Sequence, residues 1–331
     1  MTTVAINGFG RIGRAVYRIL CERDGIDVRA VNDLTSPSTL AYLLKNDTVM
    51  GAFPHPVSLE GDTIVTAGQK TRITNLADPE KLPWKDLGID IVIEATGRFT
   101  QRQECEKHLT AGAKKVLLTV PPKDALDSMI VLGVNDSVLK PDHRLVSNAS
   151  CTTNCLAPMI KVLDDAFGIE RAYMNTIHAY TNDQRLSDMY HKDYRRARAA
   201  NENIIPTTTG AARAVGKTLP HLNGKIDGGS CRIPIPDGSM VDLSAVLRKP
   251  ATREDINRAF KEASQGPLKG IVQYSEEHLV SSDILQNPHS TIFDPEYTKV
   301  LGGNFAKLVA WYDNEWGYSN RVVDLIGKMA P

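Results

Sequence analysis

The residues best placed to do chemistry lie together in Ser147-Asn148-Ala149-Ser150-Cys151-Thr152-Thr153-Asn154-Cys155-Leu156-Ala157-Pro158. A cysteine stands there among small hydroxyl and amide side chains, and an apolar run, residues 156–167, follows it. The run reads as a helix starting near Ser150, because a serine hydroxyl satisfies the open N–H groups of a first turn. A sulfur at that end faces the positive pole of the helix dipole, which favours the thiolate, the form that attacks carbon. The alternative is a buried cysteine acting as a small hydrophobe. Ser150, Thr152, Thr153 and Asn154 argue against it, since a dry core would strand their polar groups. Cys155, four residues on, falls on the same helix face and reads as packing. No CxxC or histidine pair completes a tetrahedral set, so no metal is expected.

A second cluster opens the chain. Val4-Ala5-Ile6-Asn7 is a short apolar strand, and Gly8-Phe9-Gly10-Arg11-Ile12-Gly13 matches G-x-G-x-x-G. The spacing alone is common. Residues 14–22, with helical periodicity, and a further strand, residues 27–31, ending at Asn32-Asp33, turn it into a dinucleotide fingerprint. Asp33 lies about 20 residues past the glycines, where a carboxylate accepts from both ribose hydroxyls and repels a 2′-phosphate. NAD is therefore expected over NADP.

The elements that position these groups alternate as strand and helix. Helices are expected over residues 39–44 and 105–111, a hairpin-like segment over 57–73, and strands over 89–95, 115–119 and 130–134. Thr96-Gly97 closes one of these strands at its carboxyl end, where open α/β sheets bind ligands. The repeat predicts a doubly wound, Rossmann parallel-sheet dinucleotide domain, residues 1–149 plus a C-terminal helix, 315–331. Residues 150–314 form an α+β catalytic domain with a mixed or antiparallel sheet: strands over 171–178, 229–234, 240–247 and 307–312, helices over 210–219 and 254–264. Residues 181–206 lack periodicity and carry Arg185, Lys192, Arg195, Arg196 and Arg198. A loop that long is normally functional or a subunit contact.

Composition limits the alternatives. Lys plus Arg equals Asp plus Glu at 39 each in 331 residues, so no bulk attraction to nucleic acid or an anionic membrane exists. No run is long enough to span a bilayer, and the first residues enter a strand directly, so no export signal is expected. Five scattered cysteines, Cys21, Cys105, Cys151, Cys155 and Cys231, suit a reducing cytoplasm.

Five blocks in order resemble the phosphorylating glyceraldehyde-3-phosphate dehydrogenase family across essentially the whole chain. They are residues 6–14, residues 147–158, His178-Ala179-Tyr180-Thr181-Asn182-Asp183-Gln184, Pro206-Thr207-Thr208-Thr209-Gly210-Ala211-Ala212, and Trp311-Tyr312-Asp313-Asn314-Glu315-Trp316-Gly317-Tyr318. The resemblance implies that Cys151 adds to an aldehyde as a thiohemiacetal, with His178 as its partner base. It implies that hydride leaves to NAD and that inorganic phosphate then cleaves a thioester. Thr181, Asp183 and Arg232 would take the phosphate of glyceraldehyde 3-phosphate. Ser150, Thr209, Gly210 and Arg195 would take the incoming phosphate, with Thr152 also among the substrate contacts. Asn7, Gly8, Phe9, Gly10, Arg11, Ile12, Asp33, Thr96, Gly97, Thr119, Asn314 and Tyr318 would hold NAD, Asn314 through the nicotinamide carboxamide. A homotetramer sharing the 181–206 loop is implied as well.

Several positions depart from the family pattern. Ala77 stands where many relatives have arginine, and Met189-Tyr190 where Leu-Pro is common. Ser36 and Ser38 leave some NADP use open, Val120-Pro121-Pro122 follows Thr119, and Cys231 precedes Arg232. The nearest rival is erythrose-4-phosphate dehydrogenase, which lacks the Thr-Thr-Gly pocket kept at residues 208–210. A rival of another class is a non-catalytic NAD-binding interaction protein.

Overall fold

The computed structural model describes residues 1–330. The described chain divides into two compact units: residues 1–130, 137–149 and 319–330, and residues 131–136 with 150–318.

The first unit contains β1 (Thr2–Asn7), α1 (Arg11–Leu20), β2 (Ile26–Asn32), α2 (Pro37–Lys45), β3 (Ser58–Glu60), β4 (Thr63–Thr66), β5 (Gln69–Thr74), β6 (Ile91–Glu94), α3 (Arg102–Thr110), β7 (Lys115–Leu118), β8 (Ser128–Met129) and β9 (Leu145–Ser147). They form one sheet in the order β3-β4-β5-β2-β1-β6-β7-β9-β8, parallel except for the β3-β4-β5 meander. Successive strands run outward from β1 to β2, and the chain then crosses to β6 on the other side of β1. That reversal is a topological switch point, where the ends of neighbouring strands part. The register sets Asn7 beside both Asn32 and Glu94, so three polar residues end three adjacent apolar strands. Val4, Ala5, Ile6, Ile91, Val92 and Ile93 are fully buried, as strands covered on both faces require.

The second unit contains α4 (Cys151–Phe167), β10 (Ile169–Ala179), β11 (Ile205–Thr207), α5 (Ala211–Thr218), β12 (Ile226–Ile233), β13 (Ser239–Leu247), α6 (Arg253–Gln265), β14 (Val272–Tyr274), β15 (Thr291–Leu301) and β16 (Phe305–Tyr312). Its sheet runs β11-β12-β10-β13-β16-β15-β14 and is mixed, with β10 parallel to β12 and antiparallel to β13. A last helix, α7 (Trp316–Met329), carries the chain to its end. No helix among the described residues is long and apolar enough to cross a membrane.

The α/β class is as expected; three local readings are corrected. Helix α1 begins at Arg11, with Gly10 at its cap position, three residues before the expected start. Residues 130–134 are not a strand. Ile130, Val131 and Leu132 are buried in a turn, whose N–H groups are met by side chains: Val131 donates to Asn135 Oδ1 at 2.8 Å and Gly133 to Asp136 Oδ1 at 2.5 Å. Finally, β15 goes unpredicted because Asp294-Pro295-Glu296 interrupts its apolar pattern. The ladder with β16 breaks register there and resumes at Lys299.

Candidate active site

Cys151 is the first residue of α4 and Ser150 is its cap: Ser150 Oγ accepts from the Thr153 N–H at 3.1 Å and lies 2.7 Å from Thr153 Oγ1. His178, on β10, brings Nε2 to 3.5 Å from Cys151 Sγ and is 3% exposed. Its other nitrogen, Nδ1, is 2.7 Å from the Ala179 carbonyl oxygen. Nδ1 also lies 2.9 Å from Arg232 Nη1, a donor, so it stands between an acceptor and a donor, while Nε2 faces the sulfur. The parallel register of β10 and β12 sets Arg232 directly beside His178. Arg232 Nη1 donates to the same Ala179 oxygen at 3.0 Å and reaches Thr181 Oγ1 at 3.5 Å.

Tyr312 was not singled out by the sequence. Its ring stands edge-on to the imidazole at 5.9 Å, and its buried hydroxyl meets Thr152 Oγ1 at 2.9 Å and Thr176 Oγ1 at 2.8 Å. Those bonds commit the Thr152 side chain to the wall behind the pair. The signal available was a tyrosine ending a buried strand inside Trp311-Tyr312-Asp313.

Electrostatics modify the helix-start argument. Burial pushes the Cys151 thiol up, although Arg232 and Thr152 pull it back. Burial, with Arg232 adding to it, takes His178 down to about 3. Desolvation thus opposes the charged thiolate and imidazolium, while Arg232, Thr152 and the helix start favour the thiolate. Nε2, 3.5 Å from the sulfur, is in reach of the thiol proton as sulfur forms a new bond.

The expected anion contacts fall in different surroundings. Thr181 and Arg232 adjoin the Cys151–His178 pair. The Asp183 carboxylate is held in an ion pair by Arg196 and lies 3.4 Å from His191 Nε2. Arg195 is exposed, with its N–H on Asp193 Oδ1 at 2.9 Å. The half-buried Arg196 is instead the guanidinium close enough to act on Arg232. Thr209 Oγ1 accepts the Ala211 N–H at 3.2 Å where α5 begins, and Thr153 Oγ1, already on Ser150, reaches the Ala211 oxygen at 3.5 Å. Ser150 and the Thr209-Gly210 turn are thereby neighbours. Asn314, 5% exposed, has its amide oriented: Ser239 Oγ accepts the Ala179 N–H at 3.1 Å, so its own hydrogen goes to Asn314 Oδ1 at 2.6 Å. Tyr318 is buried.

In the first unit, a cavity of about 310 Å³ opens at the strand ends, lined by Asn7, Gly8, Gly10, Asn32, Asp33, Ala77 and Thr96 among others. Gly8 has φ +93°, and a Cβ on it would stand 2.7 Å from the Thr96 nitrogen. A Cβ on Gly13 would stand 2.1 Å from the Gly8 oxygen, so α1 packs directly on the turn. A Cβ on Gly10 meets nothing, which leaves open space at the start of α1, where a helix favours anions. Asp33 accepts from Phe9 N–H at 2.8 Å and Thr35 N–H at 2.9 Å, which fixes its carboxylate at the cavity wall. Phe9 buries its side chain, and Arg11 turns its guanidinium to Asp47 at 2.5 Å. For Phe9, Arg11 and Ile12 the backbone is therefore what the turn offers. Gly97 takes φ +67°, and the Thr119 hydroxyl donates to the Glu94 carbonyl at 3.0 Å.

Glu94 went unnoticed as well, though a lone charge closing the apolar run of β6 was a readable signal. Its fully buried carboxylate accepts from Asn7 Nδ2 at 2.6 Å, His108 Nε2 at 3.0 Å, Thr96 N–H at 2.9 Å and the Thr96 hydroxyl. Trp84 Nε1 donates to His108 Nδ1 at 3.0 Å, which leaves Nε2 as the donor to Glu94. Asn32 continues the chain, donating to Asn7 Oδ1 at 2.7 Å and accepting the Leu76 N–H at 3.0 Å. One buried network thus holds the Gly8 turn, the Thr96 turn and the Leu76 wall. Open glycine turn, anchored carboxylate and rigid walls fit a dinucleotide.

Comparison with known proteins agrees with both halves. A family described as "Glyceraldehyde 3-phosphate dehydrogenase, NAD binding domain" matches residues 2–102, and one described as "Glyceraldehyde 3-phosphate dehydrogenase, C-terminal domain" matches residues 150–314. The chain is 55% identical over 332 residues to the glyceraldehyde-3-phosphate dehydrogenase of Kitasatospora aureofaciens, covering 100% of this chain and 99% of that one. It is 57% identical over 330 residues to the protein of the same name from Mycobacterium avium, covering 98% and 97%. Against that of Priestia megaterium it is 54% identical over 328 residues, covering 99% and 98%.

Proposed function

The chain belongs to the glyceraldehyde 3-phosphate dehydrogenase family, and from that premise we propose that it oxidises glyceraldehyde 3-phosphate with NAD and passes the acyl group to inorganic phosphate. The observation that carries the reading is the 3.5 Å approach of Cys151 Sγ to His178 Nε2, with Arg232 beside the same imidazole.

His178 takes the thiol proton as sulfur adds to the aldehyde carbon, and returns it to the new oxygen to give a thiohemiacetal. NAD, when bound, supplies the hydride acceptor. His178 then withdraws the hydroxyl proton, and the carbon left on sulfur is a thioester. Phosphate oxygen attacks that carbonyl, sulfur departs and recovers its proton, and the product is an acyl phosphate. Thr181 and Arg232 offer a hydroxyl and a guanidinium to the phosphate of the substrate, with Asp183 held near by Arg196. Ser150, Thr152, Thr209, Gly210 and Arg195 are the proposed contacts for the second phosphate and the reacting end. Asp33, the glycine turn of residues 8–13, Thr96, Gly97, Thr119, Asn314 and Tyr318 are the proposed cofactor residues, and the Asp33 carboxylate selects NAD by repelling a 2′-phosphate.

Subunit association is part of the same reading. Leu186, Met189, Tyr190, Tyr194 and Ile204, all at least 62% exposed, make the 181–206 loop an apolar surface suited to a second copy, as in a homotetramer. Five free cysteines suit a cytoplasmic setting.

Initial rates of NADH formation test the assignment. Glyceraldehyde 3-phosphate should turn over steadily only with phosphate, and faster than erythrose 4-phosphate. Faster, phosphate-independent turnover of erythrose 4-phosphate would move the chain to the rival activity, and NAD binding without turnover of either would leave an interaction protein.

A further inference from the structure

Two charged residues line the cavity at the strand ends: Asp33, just past β2, and Arg98, in the turn that follows β6. Asp33 is spent on the fold, since its carboxylate accepts two backbone N–H groups. Arg98 is not. Its side chain is exposed, and its guanidinium carbon lies 5.6 Å from the centre of the Phe99 ring, which lines the same cavity. An aromatic face steadies a guanidinium while leaving its N–H donors open. Among the described residues no carboxylate forms an ion pair with it. Arg11, the arginine of the glycine turn, is by contrast committed to Asp47 at 2.5 Å.

The backbone fixes where Arg98 stands. Its N–H donates to Thr96 Oγ1 at 3.1 Å, and Thr96 is anchored through its own N–H and hydroxyl on Glu94. A Cβ on Gly8 would stand 2.7 Å from the Thr96 nitrogen, so the turn carrying Arg98 abuts the glycine turn that leads into α1. A dinucleotide brings two phosphate charges to that place, and the Asp33 carboxylate on the cavity wall is a third negative charge. The start of α1 answers with only about half a positive charge. We propose that Arg98 is a further cofactor-binding residue, whose guanidinium donates to the phosphate oxygens of the dinucleotide from the β6 side of the cavity. The inference rests on the reading of this cavity as the dinucleotide site. Arginine suits the task because its planar fork can give two hydrogen bonds to one phosphate.

The test measures binding rather than turnover. Wild type, Arg98→Gln and Arg98→Lys are titrated calorimetrically with NAD and with ADP-ribose, at about 0.02 M and about 0.5 M salt, and adenosine is measured by competition with ADP-ribose. Arg98→Gln should weaken NAD and ADP-ribose about tenfold at low salt, and by less at high salt, while adenosine, which has no phosphate, binds as to wild type. Arg98→Lys keeps the charge without the fork and should fall between the two. Equal affinity of wild type and Arg98→Gln for ADP-ribose overturns the proposal. A loss that is as large for adenosine also overturns it, because the guanidinium would then act on the base. Failure of wild type to bind either NAD or ADP-ribose is a separate result: it would refute the cavity as the dinucleotide site, and the role of Arg98 with it.

Discussion

Replacing His178 by asparagine tests the resting state of the site as well as its catalytic step. The imidazole is held on three sides: Nδ1 on the Ala179 oxygen at 2.7 Å, one ring edge toward Tyr312, and Nε2 toward Cys151 Sγ at 3.5 Å. A base so fixed should contribute the full range observed for positioned proton transfer, about 10²–10⁴-fold, or roughly 3–5 kcal/mol of barrier. Stopped-flow NADH formation at saturating substrate should therefore fall by about that factor in His178→Asn, with NAD affinity retained. Alkylation by iodoacetamide should slow at neutral pH and converge with wild type at alkaline pH, where the thiol ionises unaided. The same substitution carries a stability signature with a definite sign. His178 is lowered to about 3, while an exposed histidine titrates near 6.5, so the unfolded chain binds the proton first as pH falls. That contribution is intact above pH ~6.5 and is lost as pH falls toward ~3. Wild type should lose melting temperature across the window more steeply than His178→Asn. A variant within about threefold of wild-type kcat would refute the base. Equal acid slopes would refute the desolvated neutral imidazole.

Three further substitutions probe the rest of the machinery. Asp33→Ala removes a carboxylate anchored by two N–H groups, and the NADP-to-NAD ratio of kcat/KM should rise by at least ~10-fold; an unchanged ratio contradicts charge exclusion. Glu94→Gln replaces two acceptor oxygens by one, so either amide orientation strands a buried N–H at a cost of about 1–3 kcal/mol; calorimetry should show weaker NAD binding and a lower Tm, and wild-type affinity would show that the network does not shape the cavity. Tyr312→Phe deletes two buried hydroxyl contacts, so denaturant unfolding should show a loss of ~1–3 kcal/mol, with kcat reduced less than by His178→Asn; a larger kcat loss would assign the phenol a direct role.

What the sequence reveals is the chemistry carried by consecutive residues. The Gly8 to Gly13 turn, Asp33 and the capped Cys151 are each legible because their roles follow from neighbours along the chain. Parallel pairing across distance is not legible. His178 and Arg232 are 54 positions apart, and only the β10–β12 register puts the guanidinium against the imidazole Nδ1 and on the Ala179 carbonyl. Desolvation escapes in the same way. A helix start near Ser150 argues for a thiolate, but the desolvation that opposes it and the Arg232 charge that supports it belong to the folded unit. Apolar runs also mislead locally, since the buried turn at residues 131–134 has the composition of a strand and draws its hydrogen bonds from Asn135 and Asp136.

The Ala179 backbone explains why the remote residues of the site behave as one group. Its carbonyl holds the imidazole and Arg232, and its N–H holds Ser239, which orients Asn314. The two peptide units that meet at the Ala179 Cα therefore set the direction of the base and, one hydroxyl further on, the direction of the amide. The start of β13, through Ser239, meets the Ala179 N–H, and the β10–β12 register, through Arg232, meets its carbonyl. The geometry of the Cys151 site in this way depends on strands β10, β12 and β13 as well as on the helix that carries the sulfur.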